Sequence, residues 1–122
     1  MRAKNNLTNE QREALAYLER YALYRRMLDG NHHARTYFEV PRSDASTAAD
    51  DALLNARMME IRHFVVTLPD CREKMLLYYR YIRGHSMETC AELMNVSRRT
   101  VFRIAADAAA FAADNFANRE TF

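Results

Sequence analysis

Residues 86–104 read SMETCAELMNVSRRTVFRI. The spacing predicts a short helix, a break at Asn95 and a second helix that begins at Ser97. Ser86 and Ser97 are both of the type that caps a helix N-terminus. Two helices that cross steeply need a very short turn. One residue of such a turn commonly goes left-handed, a conformation Asn tolerates better than any residue except Gly. Ala91 faces the expected crossing point, where a small side chain lets the following helix approach closely. Cys90, Met94, Val96, Val101 and Ile104 are spaced to meet beneath the turn, with Leu93 left partly exposed.

A small residue, a turn residue and five apolar positions in register resemble the helix-turn-helix motif. The one departure is Asn95, where such motifs usually carry Gly. The outward positions then matter. Ser97, Arg98, Arg99, Thr100, Phe102 and Arg103 occupy the start and the solvent side of the second helix, where helix-turn-helix proteins meet base edges and phosphates. Cations in a first helical turn oppose the macrodipole at a cost of roughly 0.3–1 kcal/mol each. A phosphate at that site removes the cost, because helix N-termini and arginines both attract it. Residues 97–104 hold three arginines and no acid, a local cluster hidden by a formal net charge of only +2. A solvated arginine face on a plain helical hairpin is the competing description. The compact turn, the complete register and the misplaced cations favour DNA. Phe102 either packs on a neighbouring helix or touches a base, and Thr100 either lies near the DNA backbone or is an ordinary first-turn residue.

Outward from this stretch, the chain reads as helical throughout. Its 122 residues suffice for one real core, Gly and Pro number two each, and Ala, Leu, Met, Glu and Arg are abundant. Thr8 and Gln11 form a capping-box pattern that starts a first helix. Ala14, Tyr17, Tyr21, Tyr24 and Leu28 follow at alternating spacings of three and four, widened by Leu18 and Ala22, and Gly30 is the expected stop. Residues 31–46 are polar and read as a long loop, with Tyr37, Phe38 and Val40 as its apolar cluster. A second helix is expected from Ser46 or Thr47, with Leu54, Met58, Ile61, Val65 and Leu68 as its seam and Pro69 at its end. The matching seams predict an antiparallel hairpin over 1–69. The back unit, 70–122, opens with Asp70 as the cap of a helix CREKMLLYYRYIR, whose buried stripe is Met75, Leu76, Tyr79 and Ile82 and whose stop is Gly84.

The back unit resembles region 4 of sigma-70-type factors. The resemblance rests on Leu68-Pro69, Arg80 to Ile82 with Gly84, Ser86, Glu88, Ala91-Glu92, Met94, Val96-Ser97, Thr100-Val101 and Arg103. A helix, a loop with Pro41-Arg42 and a second helix ahead of such a module resemble small phage and prophage transcriptional activators of the RinA and ArpU type. The resemblance implies an all-α protein, a helical hairpin followed by a three-helix DNA-binding module, with a recognition helix at about 97–117 in the major groove. It implies double-stranded DNA as partner, RNA polymerase as a further one, and transcriptional control as function.

Other chemistry is thinly represented. His32-His33 falls short of the three or four ligands a metal site needs. His63 and His85 stand alone, Cys90 reads as a small core hydrophobe, and Cys71 has no acid or base spaced to serve it. With no Gly-rich phosphate loop and no nucleophile–base pair, neither catalysis nor a cofactor is expected. Two cysteines without ligand spacing and a start without an apolar leader predict a reduced, cytoplasmic setting and no membrane. Tyr17, Tyr21 and Tyr24 on one seam suggest a homodimer surface on the first helix, the alternative being that they pack inside the chain. Two rival functions fit the same elements: a small terminase-like packaging protein, and a module that binds polymerase or another protein but not DNA.

Overall fold

The computed structural model describes residues 7–37 and 45–119, with side chains for all of these except 31–37 and 45–47. His32, His33 and Tyr37 therefore lie outside the described side chains, and Phe38, Val40, Pro41 and Arg42 outside the described residues. The described residues form helices and no strands. They are α1 (Asn9–Tyr37), α2 (Ala45–Val66), α3 (Arg72–Leu77), which runs on as a π-helical turn (Tyr78–Ile82), α4 (Met87–Met94) and α5 (Arg98–Phe116). None of these helices is long and apolar enough to cross a membrane.

α1 begins as its capping box predicts. The Gln11 N–H donates to Thr8 Oγ1 at 3.0 Å and the Thr8 N–H to Gln11 Oε1 at 3.3 Å. Gly30 does not stop it. The helix continues seven residues further, to Tyr37, and α2 begins at Ala45, so both ends of the expected loop at 31–46 are helical. The physical reason is the small size of the penalty. An interior Gly costs only about 1 kcal/mol relative to Ala, and strong helix formers precede it.

α1 and α2 pack antiparallel. Tyr17 meets the Phe64 ring edge-on at 5.8 Å, and Tyr21 further along α1 accepts a hydrogen bond from Arg62, earlier on α2. Ala14, Tyr17, Leu18 and Tyr21 of α1 and Ile61, Phe64, Val65 and Leu68 at the end of the hairpin share one core with Leu76, Leu77, Ile82, Cys90, Val101, Ile104, Ala108 and Ala112. Leu18, Ile61 and Leu77 are wholly enclosed, each stabilising the fold by roughly 1.5–3 kcal/mol. The two halves thus share a continuous interior, with α5 packed on α1, α3 and α4. Ala22 is exposed, on the flank of α1 away from this interior.

The third helix differs most from expectation. Asp70 does not cap it. The extended Cys71 is the first flanking residue, and the Asp70 carboxylate instead holds Lys74 Nζ at 2.9 Å. This bond and the ammonium charge lower the Asp70 pKa below the usual carboxylate value. The helix then widens into the π turn, where the Arg83 N–H reaches back five residues to the Tyr78 carbonyl at 3.0 Å. Leu77 takes the buried place expected of Met75, which is 44% exposed. The extra residue in the turn breaks the 3.6-residue register, so the stripe runs Leu76, Leu77, Ile82. Gly84 ends the element at φ +74°. Arg25 Nη2 of α1 reaches the Ile82 carbonyl at 3.4 Å and so ties the hairpin to this helix end.

Candidate nucleic-acid interface

Two serines and one asparagine shape the candidate site. Ser86 Oγ accepts the Thr89 N–H at 3.1 Å and starts α4, and Ser97 Oγ accepts the Thr100 N–H at 3.1 Å and starts α5. Between them Asn95 adopts φ 59°, ψ 48°, the left-handed conformation. The Asn95 N–H returns to the Glu92 carbonyl at 3.1 Å and the Val96 N–H to the Ala91 carbonyl at 3.0 Å. These two bonds make a Schellman motif, which satisfies the last carbonyls of α4 and reverses the chain within two residues. Ala91, 6% exposed, lies at the closure, and Cys90, Val101 and Ile104 are completely buried below it. Met94 and Val96 pack partly buried against the same core, and Leu93 is 48% exposed. Burial of the Cys90 thiol raises its pKa, which keeps it a neutral core group.

This geometry sets the outward face of α5. Ser97, Arg98, Arg99, Phe102 and Arg103 are exposed and Thr100 is half-buried, while Val101, Ile104 and Ala108 anchor the opposite side. The first turn carries no acid. The next acids on the helix are the exposed Asp107 and Asp114, so α5 is basic at its start and acidic beyond. Backbone N–H groups, the positive dipole end and three guanidinium groups therefore converge on one end of one helix, an arrangement that favours a polyanion.

Sequence reasoning missed the pairing of Glu88 with Arg98. Arg98 Nη2 lies 3.6 Å from Glu88 Oε2, across the turn on the first turn of α4. Both side chains are more than half exposed, so the pair contributes little to stability. No spacing rule for a single helix would have found it, because the contact exists only once Asn95 folds α5 back over α4. Phe102 is 47% exposed, with the Arg98 guanidinium 5.7 Å above its ring. It also rims a cleft of about 520 Å³ lined by Leu15, Leu76, Leu77, Tyr81 and Ala105, so the ring is both a packing group and a surface group. Among the described residues no three His, Cys, Asp or Glu side chains are grouped to hold a metal ion.

The α1 tyrosines are engaged within the chain. Tyr17 and Tyr21 are each 7% exposed. Tyr17 meets Phe64 edge-on and Phe116 at a tilt, with 5.1 Å between the latter ring centres, and burial raises its pKa. Tyr21 lies under Arg25 at 5.1 Å. Of the seam that sequence reasoning offered as a surface for a second chain, Tyr17 and Tyr21 are buried in the core and Tyr24 packs half-buried against it. No protein-family model, curated protein or solved structure matches the chain.

Proposed function

We propose that the chain is a sequence-specific double-stranded-DNA-binding regulator of transcription, acting in the cytoplasm of a bacterium that hosts its phage or prophage. α4, the Asn95 turn and α5 act as a helix-turn-helix, and the first two turns of α5 enter the major groove. The observation that carries this reading is the exposed group Arg98, Arg99 and Arg103 around a Ser-capped helix start with no acid of its own. Among the described residues Arg99 and Arg103 have no ion partner to exchange, so they suit bidentate contact with guanine or direct contact with phosphate. Ser97 and Thr100 sit where the DNA backbone passes, and Phe102 supplies an apolar contact beside them. The likeness of Leu68–Arg103 to sigma-70 region 4 supports the same reading and adds RNA polymerase as a second partner.

Selection of bound sequences from a random DNA pool tests the proposal. An enriched motif of a few base pairs is expected. Retention of DNA without enrichment would favour a packaging role, and no retention at low salt would leave only a protein partner.

A further inference from the structure

α2 is apolar on two sides. Its inward seam is Leu54, Met58, Ile61 and Val65, continued just past its end by Leu68. On the opposite side Ala49, Ala52, Ala56, Met59 and Val66 are all exposed, Met59 to 70% and Val66 to 41%, with Leu53 beside them at 54%. With the half-buried His63, these positions fall at 49, 52, 56, 59, 63 and 66. The spacing of three, four, three, four, three is the seam of a two-stranded coiled coil. A helix that is apolar on both sides is ordinarily covered on both.

The order of side-chain sizes identifies the cover. The first half of the seam is three alanines and the second half is Met59, His63 and Val66. Laid parallel on a copy of itself, the seam sets alanine against alanine at one end and bulk against bulk at the other, so the helices splay. Laid antiparallel, it sets Ala49 against Val66, Ala52 against His63 and Ala56 against Met59, and every layer holds one small and one large residue. Such a seam fills evenly at a constant helix separation over about 27 Å. No like charges meet along its flanks, since Glu60 falls opposite Leu53 and Arg62 opposite Asn55. We infer that the outward face of α2 packs antiparallel on the same face of a second copy, forming a two-fold dimer about an axis near residues 57–58. A closed two-fold contact of this type uses the same patch on both chains, as this face does. The surface is distinct from the buried Tyr17 and Tyr21 of α1.

Light scattering of the full chain, with Met59→Glu and Ala52→Glu variants, tests the inference. The wild-type chain is expected at twice its 14.3 kDa mass, and both variants at the single-chain mass with unchanged helicity. A wild-type chain that stays single up to its solubility limit, or variants that remain dimeric, would overturn it. Direction is read by oxidative cross-linking in a Cys71→Ser background. An Ala49→Cys chain mixed with a Val66→Cys chain should form a mixed disulfide, and each alone should form none. A disulfide in the Ala49→Cys chain alone would show a parallel dimer and overturn the antiparallel assignment.

Discussion

Asn95 gives the sharpest test of the turn between α4 and α5. Its backbone sits at φ 59°, ψ 48°, where an L-residue with an ordinary side chain loses roughly 1–2 kcal/mol relative to the right-handed region. Asn escapes part of this penalty. The side chain is exposed and outside the core, and the turn is closed by backbone bonds from Asn95 and Val96 alone. Replacing the side chain therefore changes conformational energy and little else. Asn95→Ala should destabilise by about 1 kcal/mol, which for a domain of this size lowers the thermal midpoint by roughly 3–5 °C. Asn95→Val should cost more, because β-branching crowds the left-handed region further. Asn95→Gly removes the steric penalty but adds freedom to the unfolded chain, so its stability should stay within about 0.5 kcal/mol of wild type. Urea denaturation followed by circular dichroism gives all three values on one scale. The order Gly, Ala, Val from most to least stable is required. A Gly variant less stable than the Ala variant would mean that residue 95 is not left-handed, and the placement of α5 would fail with it.

Three further outcomes follow from the packing. Ala91→Leu inserts bulk where α4 closes on α5 and should cost about 1–3 kcal/mol; an unchanged thermal midpoint would place Ala91 outside the crossing. Gly30→Ala meets nothing within 4 Å of the added carbon and should stabilise by roughly 0.5–1 kcal/mol. A loss of stability there would restore Gly30 as a helix stop. A fragment of residues 70–122 lacks Leu18, Ile61, Phe64 and Val65 of the common core, so its far-ultraviolet spectrum should show little helix; a cooperative melt would show that the back half folds unaided.

The elements that local periodicity encodes were legible in the sequence. The capping serines, the left-handed Asn95, the burial of Cys90, Val101 and Ile104, and the seams of α1 and α2 all follow from spacing and residue type. What was hidden depends on contacts between elements or on small differences in free energy. Gly30 is a helix breaker whose penalty its neighbours absorb. Asp70 had two uses, and Lys74 four residues on took it from the cap. The π turn shifts the α3 stripe by one place, which no regular period anticipates. The tyrosines of α1 fit a wet interface or a core equally well by composition, and the core place of Tyr17 follows only from the positions of Phe64 and Phe116. The outer seam of α2 escaped notice because half of it is alanine, which marks no face strongly. For the candidate site, the outward arginines were readable from helical phase, whereas the partner of Arg98 was not.

Whether the start of α5 reads DNA, as proposed, is measured most directly by the salt dependence of binding. Anisotropy titrations of a labelled duplex carrying the selected sequence are run across a range of salt concentrations with wild type and with Arg98→Ala, Arg99→Ala and Arg103→Ala. Each arginine on a phosphate contributes about 0.9 to the slope of log affinity against log salt concentration. Replacing one such arginine should lower the magnitude of the slope by about one unit on every duplex; replacing one that reads a base should instead cost about 1–3 kcal/mol and relax the preference at a single position. Folding should be unaffected or slightly improved, since each change at Arg98 or Arg99 removes a cation from the positive end of a helix. At least Arg99 and Arg103 should show one of these two signatures. Wild-type affinity and slope in all three variants would contradict the proposal.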